Sequence, residues 1–321
     1  TWGIPVPLDG YEDKRIYVWF EAVIGYLSAS KEWAQRRGEP EAWKDFWQAE
    51  DCKSYYFIGK DNVPFHTIIW PAILMGYGGL NLPYDVPANE FLTVETQKLS
   101  KSRNLAIWVD DFLSRYQPDA LRYMLSVNMP DMSDTDFSWR EFLRRNNDEL
   151  VATYGNLVNR VLSMLQKHFD GRVPDCGEPD SRSAEIIASA EKTLRHMDEL
   201  LYGCRFKEAI KAAMALAAET NRYLDEKSPW KTLKTDKTQA GQALYTALTV
   251  ISGLRTAFYP FLPFSSEKLH HFLGYEGSVE ADGWGLRRPA PGAALNPPEA
   301  LFIKLDESIV EEETARLGLK P

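Results

Sequence analysis

The placement of predicted strands divides this chain into two unlike parts. Three short apolar runs predict buried strands, at Arg15–Phe20, Lys53–Gly59 and Glu90–Val94. Helical patterns separate these runs, including one at about residues 61–75 that we expect to be interrupted near a proline. Strands alternating with helices are typical of a parallel α/β sheet. Because no strand is predicted beyond Asp110, we expect an α/β layer followed by an all-α region.

Amphipathic helices account for most of the remaining chain. We predict one helix over Pro118–Val127 and another that opens at the capping box Ser138–Glu141 and runs past Leu165. Its apolar residues recur every three or four positions, which indicates one buried face. Further helices are predicted at about 183–202, 205–226, 238–257 and 265–273. This pattern predicts a helical bundle, followed by a Gly- and Pro-containing tail.

Composition and cysteine usage exclude several classes of protein. The chain has 321 residues, 44% of them hydrophobic and 26% charged, as in an ordinary globular protein of about two domains. No window approaches the roughly 18 apolar residues of a membrane span, and no secretory signal is visible. Cys52, Cys176 and Cys204 are few and far apart, which argues against a disulfide framework and against a zinc site. We therefore expect no metal site, no membrane association and a reducing, cytoplasmic setting.

The net charge of −9 argues against non-specific binding of nucleic acid, which usually requires a basic surplus. A local basic strip would still be sufficient for a specific RNA partner. Charge alone therefore leaves an RNA partner open.

The segment Lys98–Ser102 carries two lysines three residues apart, directly after a predicted strand. Such a loop can bring Lys98 and Lys101 onto a triphosphate, where positive charge stabilises negative charge that develops during nucleotidyl transfer. The alternative is a solvated basic turn, and for an isolated pentapeptide of this kind the two interpretations are about equally favoured.

Trp19, Ala22 and Tyr26 are spaced to share one face of a helical turn. Two aromatic rings around a small residue form a slot that suits an unbranched thioether, although the spacing alone favours plain aromatic core. His66 lies on a later predicted helix, and a lone histidine in such a place is more often a structural residue than a functional one.

Gly59 and Asp61 fall at a predicted strand-to-helix junction, which is where α/β folds bind ligands. Glycine permits close approach of a ligand to the backbone, and a carboxylate can accept hydrogen bonds from ribose hydroxyls. The alternative for Asp61 is a helix N-cap.

In the helical region, Asn156 and Arg160 share a helix face, and Trp230 follows Ser228 and Pro229 at a predicted helix start. Amide and guanidinium groups can read the edges of unstacked bases, and an exposed indole can stack on one. For Asn156 and Arg160 the alternative is a solvated or capping pair, and for Trp230 it is a core or boundary tryptophan. Each alternative is about as favoured as the functional interpretation. Ser228 is a candidate capping residue.

Five segments in this order resemble the methionyl branch of the class I aminoacyl-tRNA synthetases. They are the methionine-pocket segment Tyr17–Tyr26, the second active-site segment Phe57–His66, the loop Lys98–Ser102, and the anticodon-reading segments Tyr154–Arg160 and Asn221–Trp230. Leu99 and Val23 depart from the family, which usually has Met and commonly has Pro at these positions. The resemblance covers about residues 1–275, and the combination is far more specific than the lysine loop alone.

The resemblance implies a role for each candidate residue. The residues that would bind methionine are Trp19, Ala22, Tyr26 and His66, with Tyr26 bonded to His66. Those that would bind ATP are Gly59, Asp61, Ser100 and Lys101, and Lys98 and Lys101 would be catalytic. The anticodon would be read by Asn156, Arg160 and Trp230. It implies four segments: the second half of a Rossmann-like catalytic domain (1–110), a junction (111–138), an anticodon-binding bundle (139–275) and a wrapping tail (276–321).

The implied reaction forms methionyl-adenylate from methionine and ATP and transfers the methionyl group to the methionine tRNA, with magnesium on the ATP phosphates. The family's upstream H-x-G-H motif has no counterpart among the five histidines, and the zinc-bearing insertion often found in the family also lies upstream. We therefore expect a longer natural protein and an inactive isolated chain. The alternatives are another class I synthetase, for leucine, valine, isoleucine or cysteine, and a non-catalytic tRNA-binding protein.

Overall fold

A computed structural model of the protein describes residues 2–175 and 177–318. These residues form two compact units, Thr1–Phe91 with Pro130–Asp134, and Leu92–Met129 with Thr135–Pro321. The four-segment division given above remains a prediction. Cys176 and the end of the predicted tail, residues 319–321, lie outside the described residues.

The first unit combines helices with a pair of parallel strands. Its helices are α1 (Val18–Arg36), α2 (Lys44–Trp47) and α3 (Trp70–Tyr77), and its strands are β1 (Ile58–Gly59) and β2 (Ala88–Asn89). Ile58 lies opposite Ala88 and Gly59 opposite Asn89 in parallel register. A small core lies between the helices and strands and consists of Val23, Trp47, Tyr56, Trp70 and Leu74.

The prediction of a strand at Arg15–Phe20 is wrong. Helix α1 begins at Val18, and Arg15 takes part in an isolated bridge with Pro5. Aromatic and β-branched residues in a short run are compatible with either a strand or a helix. Here the helix is favoured, because it buries Val23 and Ala34 along one face. The residues after Phe20 provide the periodicity, so the helix extends back into the apolar run.

The other strand predictions were too long. Lys53–Gly59 forms a ladder only at Ile58–Gly59, with an isolated parallel bridge between Tyr55 and Asp85. The predicted strand at Glu90–Val94 is shortened to Leu92–Val94. Short strands whose ladder partners lie far away in sequence cannot be delimited from propensity alone.

The predicted helix at residues 61–75 consists of three joined pieces. A 3₁₀ turn at Lys60–Asn62 precedes a π-helical turn at Phe65–Ile69, which passes directly into α3. The predicted interruption near Pro71 corresponds to this change of winding, because the π-helical turn ends at Ile69 and α3 begins at Trp70, which places Pro71 in the first turn of α3.

The second unit opens with a three-stranded sheet. Its strands are β3 (Leu92–Val94), β4 (Gln97–Lys98) and β5 (Thr135–Phe137); β3 pairs antiparallel with β4 and parallel with β5. Glu95 and Thr96 join β3 to β4 with φ values of 46° and 62°. Non-glycine residues rarely adopt this region, so the turn must be stabilised by surrounding contacts.

Helices make up the rest of the second unit and confirm the predicted bundle. The expectation of no strand beyond Asp110 is wrong, because Thr135–Phe137 pairs with β3. The predicted helices are found with small shifts at their ends, and helix α8 ends at Tyr202, directly before Gly203. In chain order they are α4 (Val109–Leu113), α5 (Pro118–Val127), α6 (Trp139–Arg144), α7 (Asn156–His168), α8 (Ser181–Tyr202), α9 (Phe206–Lys227), α10 (Pro229–Thr232), α11 (Lys237–Phe258), α12 (Pro263–Phe272), α13 (Val279–Asp282) and α14 (Ile309–Arg316).

The helix predicted from Ser138 past Leu165 is one continuous rod, in which a π-helical stretch at Arg145–Gly155 joins α6 to α7. The sequence periodicity did not reveal this π-helical winding. Ser138 caps this rod, accepting a hydrogen bond from the Glu141 N–H at 3.2 Å. The Glu141 carboxylate binds Arg144 and Arg145, so only half of the predicted capping box is formed. A Cβ at Gly155 would lie 3.0 Å from the Leu150 carbonyl oxygen, which explains glycine there.

The core of the second unit centres on α11, which is buried along almost its whole length. Helices α7, α8 and α9 pack around it through their apolar faces. The segment after α12 contributes Leu301, Phe302 and Ile309 to the same core. The described part of the tail is therefore packed against the bundle.

Candidate functional site

Helix α1 presents Trp19, Ala22 and Tyr26 on one face. The Trp19 ring stacks on Phe65, with 4.0 Å between ring centroids and 9° between ring planes. Ala22 and Tyr26 are exposed. Both rings contact His66, with centroid distances of 6.4 Å from Trp19 and 5.7 Å from Tyr26, and Ala22 lies between them along the helix. We refer to the face of α1 from Trp19 to Tyr26 as the slot.

His66 is buried, with 2% of its surface exposed, and it meets this slot through Tyr26. Its Nδ1 lies 2.9 Å from the Asn62 carbonyl oxygen, and its Nε2 lies 2.8 Å from the Tyr26 hydroxyl. A carbonyl oxygen can only accept, so Nδ1 donates to it, and in the tautomer with its proton on Nδ1 the Nε2 atom accepts from Tyr26. The expected Tyr26–His66 bond is present, and it fixes the orientation of the tyrosine.

Gly59 and Asp61 stand at the end of β1. A Cβ built on Gly59 would meet nothing within 4 Å, so a ligand can approach this backbone. Asp61 lies exposed in the turn Lys60–Asn62, whose N-cap position falls on Gly59. The N-cap interpretation of Asp61 is therefore wrong, and its carboxylate faces solvent at the strand end.

Lys60 anchors the turn that carries Asp61. Its ammonium group binds the carboxylates of Glu90 and Asp134, the latter at 3.0 Å, and lies 4.2 Å from the centre of the Phe91 ring. These hydrogen bonds raise the pKa of Lys60, and the pKa of Asp134 is lowered by the Phe91 N–H and by Lys60. Sequence analysis missed this anchor, because its acidic partners lie 30 and 74 residues away.

In the second unit, the lysine loop follows the tight turn at Glu95–Thr96. The Thr96 N–H donates to Asp136 at 2.8 Å, and the Glu95 carboxylate accepts from the Trp139 N–H at 2.8 Å. These contacts stabilise the two positive φ angles, and they fix where β4 and Lys98 emerge. Nothing in the sequence marks this turn, because neither position is occupied by Gly or Asn.

Lys98 and Lys101 are both exposed. Ser100 and Leu105 exchange two backbone hydrogen bonds of 2.9 Å, which close the loop at its base. Lys101 begins a 3₁₀ turn that ends at Asn104, in left-handed conformation with φ 52°. Lys98 and Lys101 thus lie at exposed positions of a loop whose base is closed.

The helical region brings Arg160 and Trp230 together. The Arg160 guanidinium lies 4.8 Å from the centre of the Trp230 ring and donates to Asp225 at 3.2 Å. Trp230 is 37% exposed, and Asn156 is exposed one turn before Arg160 on α7. A planar guanidinium beside a partly exposed indole provides a surface on which a base can stack.

Ser228 does not use its side chain as a cap. It adopts a left-handed conformation with φ 44°, and its hydroxyl donates to the Asp225 carbonyl at 2.7 Å. Pro229 occupies the first turn of α10 as predicted. The reversal at Ser228 directs the chain from α9 into the Trp230 position.

No cluster of three or more His, Cys, Asp or Glu side chains suited to a metal occurs among residues 2–175 and 177–318. Within the same residues, every helix is too short or too polar to span a bilayer.

Comparison with known proteins places this geometry in a family. The model of the family described as "tRNA synthetases class I (M)" matches residues 1–162, and the chain belongs to that family. A second model, described as "Anticodon binding domain of methionyl tRNA ligase", matches residues 173–320. The α/β part and the helical part thus each have a counterpart in the same branch.

Curated relatives are similar along the whole chain. The chain is 65% identical over 318 residues to a methionine–tRNA ligase of Dehalococcoides mccartyi, covering 99% of the chain and 57% of the relative. It is 48% identical over 352 residues to that of Roseiflexus castenholzii, covering 99% and 59%. The chain therefore spans somewhat over half the length of these relatives.

Solved structures show the same fold. Methionyl-tRNA synthetase of Mycobacterium tuberculosis in complex with methionyl-adenylate matches with a TM-score of 0.80 and 30% identity, over 94% of this chain and 58% of that one. The apo form of the same enzyme gives a TM-score of 0.78 and 27% identity, over 95% and 59%.

Proposed function

We propose that this chain supplies the methionine-binding, ATP-binding and anticodon-reading residues of a methionine–tRNA ligase. The observation that carries the proposal is the slot bordered by Trp19 and Tyr26, with Tyr26 fixed by buried His66. Because the chain spans 57% of its relative from D. mccartyi, we propose the complete reaction for the gene product that contains it.

The slot suits an unbranched thioether. Sulfur packs favourably on aromatic rings, and small Ala22 leaves room for a flexible chain between them. The Tyr26 proton is directed to His66, so this hydroxyl offers no proton to a ligand and the slot favours an apolar side chain. A side chain branched at Cβ would require more width beside Ala22, which distinguishes methionine from valine and isoleucine.

ATP would lie at the end of β1. The open space beside Gly59 suits close approach of the nucleoside, and the exposed Asp61 carboxylate can accept hydrogen bonds from ribose hydroxyls. Ser100 and Lys101 would contact the phosphates from the lysine loop. Magnesium would accompany the ATP phosphates as part of the substrate, since Mg²⁺ binds phosphate oxygens through few protein ligands.

In the activation step, a methionine carboxylate oxygen attacks the α-phosphorus of ATP. A phosphorus–oxygen bond forms to the carboxylate, the bond to pyrophosphate breaks, and pyrophosphate leaves with the electron pair. Lys98 and Lys101 would stabilise the negative charge that develops on the departing phosphates. A ribose hydroxyl of the methionine tRNA then attacks the carbonyl carbon, and AMP leaves.

Anticodon reading would use the surface of Asn156, Arg160 and Trp230. The indole offers a stacking platform, and the amide and guanidinium groups can bond base edges of a single-stranded loop. The Arg160–Asp225 ion pair holds the guanidinium beside the indole. An enzyme with this activity would work in the cytoplasm, where translation occurs.

Amino-acid-dependent ATP–pyrophosphate exchange by the complete gene product tests the proposal. We expect exchange with methionine and far less with leucine, valine, isoleucine or cysteine. Lys101→Ala should lower the exchange rate by roughly 10²- to 10³-fold, the usual effect of removing one stabilising charge. Lys192→Ala, at an exposed position of α8, is the matched control and should leave exchange unchanged.

Absence of methionine-dependent exchange in the wild-type gene product would refute the proposed activity. Specific binding of methionine tRNA without exchange would instead favour a non-catalytic tRNA-binding protein.

A further inference from the structure

The acidic run Glu311–Glu313 near the end of the chain contains one residue unlike its neighbours. Glu313 is 3% exposed, whereas Glu311 and Glu312 are exposed on the same helix, α14. Burying a carboxylate is costly unless it is paired and hydrogen-bonded. Its partners therefore indicate what α14 is built to contact.

The Glu313 carboxylate binds two residues that follow α4, Arg115 and Tyr116. It accepts hydrogen bonds from Arg115 Nε at 2.9 Å, from Arg115 Nη2 at 3.0 Å and from the Tyr116 hydroxyl at 2.7 Å. Arg115 is also held by Asp111 of α4 through two bonds of 2.5 and 2.8 Å. Burial, with the bond to Glu313, raises the pKa of Tyr116 to about 12.

Two residues beyond α14, the chain reaches the base of the lysine loop. The Gly318 N–H donates to the Asn104 carbonyl at 3.1 Å. Asn104 is the left-handed residue that ends the turn beginning at Lys101, and its side chain accepts from Trp108 Nε1 at 2.7 Å. The segment after α14 is thus hydrogen-bonded to the residue that ends the turn of the lysine loop.

A cavity of about 640 Å³ is lined both by residues at and after the loop base and by residues at the end of α14. The first group includes Asn104, Ile107 and Trp108, and the second includes Glu313, Arg316 and Leu317. The loop base borders this cavity, and the Gly318–Asn104 bond joins it to the segment that follows α14. The three hydrogen bonds that Glu313 accepts hold α14 against Arg115 and Tyr116, so they fix the position from which Gly318 reaches the loop base.

We propose that Glu313 is a positioning residue, which acts through Arg115, Tyr116 and the seating of α14 to hold the base of the loop that carries Lys98 and Lys101. The inference rests on the proposed activity of that loop. Removing the Glu313 carboxylate charge frees α14, loosens the Gly318–Asn104 bond and lets the Lys101–Asn104 turn shift. A shift of about 1 Å in a charge-stabilising group can cost about 100-fold in rate.

Steady-state ATP–pyrophosphate exchange by the complete gene product, wild type against Glu313→Gln, provides the test. We expect the exchange kcat to fall about 10- to 100-fold and the KM for ATP to rise, with the KM for methionine within about twofold of wild type. A general loss of folded protein would lower kcat and leave both KM values unchanged. Glu311→Gln, on the exposed face of α14, is the matched control and should behave as wild type.

Hydrogen–deuterium exchange gives a readout that does not depend on activity. In Glu313→Gln, the amides of residues 100–105 should exchange faster, and those buried in α11 should be unchanged. If Glu313→Gln does not fold, Tyr116→Phe removes one bond to Glu313, keeps the ion pair and should show a smaller change in the same direction.

The outcomes separate the two proposals. Wild-type protein without methionine-dependent exchange overturns the proposed activity, whereas the amide measurement still tests the link between α14 and the loop. A folded Glu313→Gln or Tyr116→Phe variant with wild-type kinetics and wild-type protection of residues 100–105 overturns the positioning role.

Discussion

The methionine-pocket candidates and the anticodon-surface candidates relate differently to the cores beneath them. In the first unit, the Tyr26 ring contacts Tyr56 edge-on, with centroids 5.1 Å apart, and the Tyr56 hydroxyl accepts from the Trp70 indole at 3.0 Å. Tyr56 and Trp70 belong to the small core of that unit. In the second unit, Arg160 and Trp230 lie outside a core formed by other side chains.

This difference indicates how far binding and stability can be separated. A substitution in the pocket network should affect both ligand binding and folding, because the same rings serve both. A substitution on the anticodon surface should change RNA affinity and leave the free energy of unfolding nearly unchanged. The following substitutions test this contrast, from the largest expected effect to the smallest.

Trp230→Ala should weaken binding of methionine tRNA by about 1–3 kcal/mol, the usual contribution of one stacked base. The free energy of unfolding should change by less than about 0.5 kcal/mol, as for other surface substitutions. Filter binding at fixed salt and urea denaturation measure the two quantities. Trp284→Ala is the matched control, since Trp284 is exposed to a similar degree, 39% against 37%, and should bind tRNA as wild type does. Unchanged tRNA affinity in Trp230→Ala would contradict the anticodon role.

Tyr56→Phe should affect both properties in the first unit. It removes the acceptor for the buried Trp70 indole N–H, so unfolding should become easier by roughly 1–2 kcal/mol. The KM for methionine should rise, because Tyr26 rests against the altered ring. Tyr77→Phe, at an exposed position, should change neither quantity. Loss of stability without any change in the KM for methionine would contradict the claim that the same rings serve both methionine binding and folding.

Asp180→Ala should cost about 1 kcal/mol at neutral pH, typical of a lost helix cap. Asp180 caps α8 by accepting from the Ser183 N–H, and it also binds Lys227, near the end of α9. The bond from Lys227, followed by that from Ser183, lowers the pKa of Asp180 to about 2. A lowered carboxyl pKa stabilises the folded state above the ordinary value of 3.8, and the stabilisation is lost as pH falls toward 2.

The stability difference between wild type and Asp180→Ala should therefore shrink between pH 4 and pH 2 in denaturation curves. Asp198→Ala, at an exposed position later on α8, should show no such pH dependence. A difference that stays constant down to pH 2 would contradict the ion pair.

The periodicity of apolar residues, together with proline and glycine at helix ends, made the helical region predictable. Pro118 and Gly203 mark real helix ends, and long apolar stripes leave little choice of buried face. The sequence spacing of Trp19, Ala22 and Tyr26 survived even though the start of their helix was misassigned, because side-chain spacing is preserved from Val18 onward. The candidate residues could therefore be named before the elements that carry them were correct.

Features that depend on distant partners could not be predicted. Lys60 meets acids from two other segments, and the turn at Glu95–Thr96 is stabilised by Asp136 and by the Trp139 backbone. Neither leaves a local signal, since the turn lacks glycine and Lys60 resembles any surface lysine. Such contacts determine where the candidate groups point, and they require the three-dimensional structure.

The π-helical stretch Arg145–Gly155 leads directly into α7, so it sets the direction in which Asn156 and Arg160, the proposed anticodon-reading residues of that helix, point. An α-helix turns by about 100° per residue, so changing the number of residues in this stretch by one would rotate α7 about its own axis by that angle. Arg160 would then turn away from Trp230, although every side chain of the surface remained present. The number of residues in this stretch thus determines the direction in which Arg160 points, and a one-residue deletion within it would misalign the proposed RNA-reading face.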